Sequence, residues 1–442
     1  MRRLALAAAI LIVTAAAPIV IAQSRPATAA WPHWRGPAHT GATTANVPLT
    51  WNDTTNVRWK VELPGRGFST PVVAGDRLFL TTAVPTGKKV DLPPPAGRGG
   101  AGGGAAAGEE HRFDVIAVDR ASGKVVWQHT AATATPHEGY HRQYGSFASN
   151  APATDGQRLY AFFGSRGLYV YDLNGKPLWQ KDLGLKMTMR LAFGEGTGTV
   201  VHDGRIYLQF DHEGEGFVVA LNAADGKEIW RAPRMETSSW STPLVVEHAG
   251  VKQLVVSADT KVKAYDLATG KLAWEVAGIG VNPIPQPVQF RDTVILMSGY
   301  REPKLMAVRL GRTGDLTGTD AIIWETTRGT SYTASPALHD GRLYIISDNG
   351  MLHVFDAATG TPHYIQQRLP KPYNFKASPL VVNDRVYLAT EEGDVVVVKT
   401  GNQFEVLATN TLTDHSFIAS PIAIGNDLYL RSRTHLFRIS ER

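Results

Sequence analysis

One phrase recurs along most of this chain: a short polar residue before Pro, an apolar run, Arg ahead of an apolar residue and Tyr, then an alternating stretch ending in Asp-x-x-Thr-Gly-Lys-x-x-Trp. Its opening stands at Ser69-Thr70-Pro71, Ala151-Pro152, Ser241-Thr242-Pro243, Gln286-Pro287, Ser335-Pro336, Ser378-Pro379 and Ser420-Pro421. The late prolines at 243, 287, 336, 379 and 421 lie 44, 49, 43 and 42 residues apart. A period in the forties, built on strands rather than helices, is that of a propeller blade.

Within each unit the pattern alternates, as in Arg205-Ile206-Tyr207-Leu208 and Arg385-Val386-Tyr387-Leu388, which predicts strands. In Ala264-Tyr265-Asp266-Leu267-Ala268-Thr269-Gly270-Lys271 the Asp bonds backbone amides and the Gly supplies the positive φ a hairpin needs. A Trp follows at 127, 179, 230, 274 and 324, a ring to bury between neighbouring sheets. Second strands at Leu78, Leu159, Ile206, Val255, Ile295, Leu343, Val386 and Leu428 predict an all-β, eight-bladed propeller of four-stranded blades over residues 51–442. The last unit lacks its Trp strand, and the segment from Asn56 to Val61, with Trp59, has that strand and no unit before it. It is expected to close the ring and remove the exposed edges.

Ahead of the repeats, Met1-Arg2-Arg3 and an apolar run read as a secretory signal over 1–22, cleaved after Ala22 or Ala30. The mature chain is expected in the periplasm or outside the cell, as a monomer, with 23–50 as an N-terminal extension. Cysteine is absent, so neither a disulfide nor a lipid-anchored cysteine is available. The formal charge of +5 falls to +3 without Arg2 and Arg3, too little to argue for nucleic acid. Residues 85–112, with a Gly/Pro/Ala-rich run, break the repeat and are expected to be a disordered insertion.

Loops entering each inner strand and leaving each second strand converge on one end of a propeller, so binding is expected there. The candidates are Arg66, His141, Arg142, Ser146, Arg190, Trp240, Gln286, Tyr332, Lys376 and His415. Asp211 and Glu213 are the candidate metal pair, since Asp211-His212-Glu213-Gly214-Glu215 gathers oxygen ligands. His137-Glu138-Gly139-Tyr140-His141 has the His-Glu-x-x-His spelling of zinc proteases, but Pro136 and Gly139 place it in a loop, without the helix that aligns both imidazoles.

With its Ala-x-Asp-x-x-Thr-Gly-Lys-x-x-Trp phrase, the chain from about Trp51 onward resembles the pyrroloquinoline-quinone (PQQ) repeat superfamily. That superfamily includes quinoprotein alcohol dehydrogenases and the outer-membrane-assembly lipoprotein BamB. The stretch Trp31-Pro32-His33-Trp34-Arg35-Gly36-Pro37 is similar to the start of exported PQQ-like propellers. The resemblance implies a binding or scaffold module engaging a protein partner or small ligand at its funnel. Alternatively it implies a PQQ- and calcium-dependent alcohol or sugar dehydrogenase, with Trp240 as floor and Arg142, Arg190 or Lys376 as cations for the quinone carboxylates. The vicinal cysteine pair of many such dehydrogenases is impossible here.

Overall fold

The computed structural model describes residues 30–90 and 108–441. Eight antiparallel sheets form the ring, over 72–134, 153–181, 200–234, 244–277, 288–326, 337–368, 380–411 and 422–439 (blades 1 to 8). Strand Val57–Glu62 pairs antiparallel with His435–Ile439, Lys60 opposite Phe437, as the outer strand of blade 8. This strand, from the N-terminal side of blade 1, thus completes the last blade, and the ring closes as expected.

Two features of the repeat act between blades. Each turn Gly receives the Trp of the blade before it. A Cβ on Gly123, Gly175, Gly226, Gly270 or Gly360 would stand 2.5–2.8 Å from Trp59, Trp127, Trp179, Trp230 or Trp324 respectively. The indole N–H of each donates to a backbone carbonyl of that next blade, as Trp230 does to Leu267 at 3.1 Å. Trp274 is the exception. Blade 5 replaces the short turn with a longer connection whose Gly314–Asp315 pairs with Trp274 and Glu275, and the Trp274 indole donates to Gln253 instead.

At five of the blade openings the Ser or Thr before the Pro accepts a backbone N–H of another blade. Gln286 donates to Ser335, Ser335 to Ser378, Ser378 to Ser420, and Ser420 to Thr70, at 2.8–3.2 Å. Gly198 does the same to Thr242 at 2.9 Å. This belt satisfies amides of the innermost strands, which have no further strand to pair with. Apolar side chains fill the gaps between sheets: one core cluster joins blades 2 and 3, another blades 4 and 5, another blades 6 and 7.

The segment expected as an extension is, from Ala30 onward, built into the ring. Ala30–Trp31 pairs with the inner strand of blade 1 and Ala42–Thr43 with that of blade 7. Between them Pro32 accepts from Thr154, His33 meets Val201, Arg35 donates to Pro336 and Pro379, and Thr40 accepts from Leu338. One crossing chain therefore ties the inner edges of blades 1, 2, 3, 6 and 7. Within the expected insertion, Pro85 pairs with His111 and Lys89 with Glu109. Its flanks extend the two central strands of blade 1 rather than being disordered, because their backbone groups find partners across the hairpin. Residues 91–107 lie outside the described residues, as do residues 1–22, expected as a leader.

Candidate functional site

At the end of the ring where loops enter the inner strands, a cavity of about 1010 Å³ opens along the axis. Hydroxyls and small residues of the inner strands line its depth, and Trp34 of the crossing segment is part of its wall. Phe68, Tyr144, Phe193, Trp240, Tyr300 and Tyr332 add aromatic surface from six further loops. Loops do this because blade packing fixes their ends while leaving their sequences free.

Of the residues expected from sequence, His141, Arg190, Trp240, Tyr332 and Lys376 meet in this cavity. The Trp240 indole donates to Gly194 at 2.6 Å, which fixes the ring against the wall. Tyr332 stacks on Tyr300 with centroids 4.9 Å apart. Lys376 pairs with Asp348 at 2.7 Å and stands 4.3 Å from the centre of the Tyr144 ring, which itself stacks on His141. The Nδ1 of His141 accepts the Tyr144 N–H at 3.3 Å, so its neutral tautomer carries the proton on Nε2. Burial, and then Lys376, lower its pKa, so His141 lines the cavity as a neutral donor. Arg190 bonds Glu213, Asn282 and Thr237, which holds a cation at the wall.

The other expected residues serve the frame. Arg66 donates to the carbonyls of Gly145, Arg142 and Gln143, tying the loop that carries Tyr144 to blade 1, while Arg142 itself is exposed. Ser146 is buried and bonds Ser149, and Gln286 is buried and donates to Pro243 across blades. His415 packs edge-on to His435 and Phe437 and bonds Ser432. None of these five lines the cavity.

The metal pair does not assemble. Arg234 takes both Asp211 oxygens, at 2.6 and 2.8 Å, with both side chains fully buried. Glu213 accepts from Ser238 and Arg190. Among the described residues no three His, Cys, Asp or Glu side chains come together as metal ligands. In the His137–His141 loop, His137 bonds the Met187 carbonyl and Arg166, whereas His141 bonds and stacks on Tyr144. Glu138 accepts the Met189 N–H, and burial, reinforced by Glu195, pushes its pKa up to about 8. Glu195 is itself raised by burial and bonds Ser165.

Sequence reasoning missed Trp34, Leu191, Phe193 and Glu195 at the cavity. Trp34 stands in the Trp31–Pro37 motif, which carries no signal that its chain crosses the axis. Leu191 is half exposed with φ 54°, a left-handed backbone that only a Gly would have advertised. For a calcium-bound quinone the donors do not fit: Trp240 and cations are present, but Asp348 and Glu213 are committed to Lys376, Arg190 or backbone amides, which leaves the exposed Glu302 without companion ligands among the described residues.

A sequence profile of the family described as outer membrane protein assembly factor BamB matches residues 42–185, 168–317 and 311–436. BamB of Yersinia pestis is 22% identical over 335 residues, 72% of this chain and 78% of that protein. Among solved structures, the quinohemoprotein alcohol dehydrogenase of Comamonas testosteroni superposes with a TM-score of 0.62 at 11% identity, covering 93% of this chain and 80% of that one. BamB of Moraxella catarrhalis gives a TM-score of 0.51 at 12% identity, covering 81% and 99%. The structural likenesses speak for the propeller alone. With its repeat phrase, its eight blades and a profile match running along nearly the whole ring, the chain belongs to the family described as outer membrane protein assembly factor BamB.

Proposed function

We propose that this chain is a binding propeller of the periplasm or cell exterior that takes a ligand, or the projecting tip of a partner protein, into its axial funnel. The carrying observation is the aromatic-walled cavity of about 1010 Å³, large enough for a cofactor-sized molecule or a few residues of polypeptide. Its rings are held by specific bonds, as with Trp240 and Gly194 at 2.6 Å, so little ordering remains to be done on binding. The relatives' title of assembly factor favours a protein partner. The secretory leader read from residues 1–22 fits the exported setting.

The test is a titration with prodan, an uncharged naphthalene dye that brightens in apolar surroundings. A single saturable site is expected, weakened by about fivefold or more in Trp240→Ala and Tyr332→Ala at unchanged melting temperature. Absence of a saturable site, or indifference to both substitutions, removes the reading.

A further inference from the structure

Among the described residues three guanidinium groups are almost fully excluded from solvent: Arg35, Arg234 and Arg431. Arg234 has Asp211. Arg35 and Arg431 have no carboxylate within ion-pair distance among the described residues, and burial pushes each down to about 9. Arg35 donates to the carbonyls of Pro379 and Pro336, at 2.9 and 2.8 Å. Arg431 donates to the carbonyl and hydroxyl of Ser69, at 2.7 and 2.6 Å, and to the carbonyl of Thr81. The Nε of both is buried without a partner. A charge held this way in low dielectric is costly unless an opposite charge lies near.

Both arginines sit directly behind one arc of the hydroxyl belt. Pro379 follows Ser378, Ser69 precedes Thr70, and Ser420 links the two through the N–H of Ser378 and its own N–H to Thr70. Ser378, Ser420 and Thr70 line the cavity. Each of these hydroxyl oxygens accepts a backbone N–H, which leaves its own proton with no acceptor among the described residues. Three adjacent blades therefore aim O–H donors at one stretch of cavity wall, backed by two cations with no carboxylate partner among the described residues. The carboxylates of the cavity stand elsewhere: Asp348 is paired with Lys376, Glu302 is exposed, and Glu195 bonds Ser165.

We propose that the arc of Thr70, Ser378 and Ser420 is an oxyanion site, taking the carboxylate, phosphate or sulfate group of whatever the funnel binds. It rests on the reading of the funnel as a binding site and adds the charge of the ligand's buried end. Hydroxyls supply short, charge-assisted hydrogen bonds to the oxygens, and the two guanidiniums supply the field.

The test is calorimetric titration of the mature protein with inorganic phosphate and, separately, with phenyl phosphate. Saturable binding is expected, weakened about tenfold in Ser378→Ala and in Ser420→Ala and restored in Ser378→Thr, which keeps the hydroxyl. Because loss of a belt hydroxyl also loosens a blade contact, crystals of the unaltered protein soaked in selenate provide a second readout. Anomalous density at the arc supports the site. Density elsewhere only, or none, overturns it. Tighter binding of phenyl phosphate marks the anion as one end of an organic ligand, whereas equal affinity marks a free ion. Prodan binding that persists while neither phosphate nor selenate binds sinks the oxyanion site and leaves the funnel standing, whereas loss of prodan binding sinks the funnel itself.

Discussion

Single residues in this ring show how burial changes what a charge does. Arg234 and Asp211 neutralise one another with both side chains fully buried, and Tyr265 and Gln209 complete their hydrogen bonds. Removing one partner strands the other charge. Asp211→Asn and Arg234→Met are each expected to cost about 3–5 kcal/mol in urea unfolding, and the double change less than the sum. Glu138 behaves differently, because its folded-state pKa of about 8 lies above the usual carboxylate value. The folded state then holds a proton that the unfolded chain releases. Its contribution is fully present below the unfolded pKa of 4.5 and is lost as pH rises toward 8. Melting curves between those limits should show the native protein losing stability relative to Glu138→Gln as pH rises. Parallel curves would contradict the raised pKa. In the sequence Asp211 reads as half of a metal pair with Glu213, and Glu138 as part of a His-Glu-x-x-His spelling set in a loop. That one is an ion-pair partner and the other a buried acid depends on Arg234 and Glu195, which no local pattern ties to them.

At the scale of the blade, the repeat phrase describes contacts between neighbours as much as strands within a unit. Gly270 combines φ 72° with a Trp230 ring 2.6 Å from where a Cβ would stand. Gly270→Ala is accordingly expected to destabilise by about 2–4 kcal/mol in denaturant titration, more than the same change at Gly250, where the φ is positive but no atom lies within 4 Å. Ser335→Ala strands the N–H of Gln286 and is expected to cost about 1–2 kcal/mol by the same measurement. Strand positions, hairpin glycines and inter-sheet tryptophans were legible from the sequence, since periodicity and turn chemistry are local. The partner of each Trp and each belt hydroxyl was not, because those contacts arise only when one blade is set beside the next.

Over the whole molecule, the chain between Ala30 and Trp51 does two jobs: it ties inner strands of several blades and puts Trp34 into the cavity wall. A chain beginning at Asn52 keeps Val57–Glu62 and so keeps the ring closed. It is expected to melt on the order of 10 °C lower and to lose prodan affinity, as checked by calorimetry and dye titration. Unchanged melting would mean that the crossing segment is ornamental to the ring. The sequence by itself determined the number of blades, their four-strand pattern and the closure at Trp59, because a tandem repeat writes the same local physics in each unit and leaves one strand over. It also pointed to the correct end of the ring for the cavity. Only the tertiary structure decided which polar loop residues face the axis, bringing His141, Arg190, Trp240, Tyr332 and Lys376 together while committing Asp211, Gln286 and Arg66 to the frame. It alone showed two buried arginines, with no carboxylate partner among the described residues, behind a row of hydroxyls. The reason is geometric: a blade's sequence fixes its own strands, but the direction of a loop side chain is set by the neighbouring blades and by a crossing chain from the distant N-terminal region.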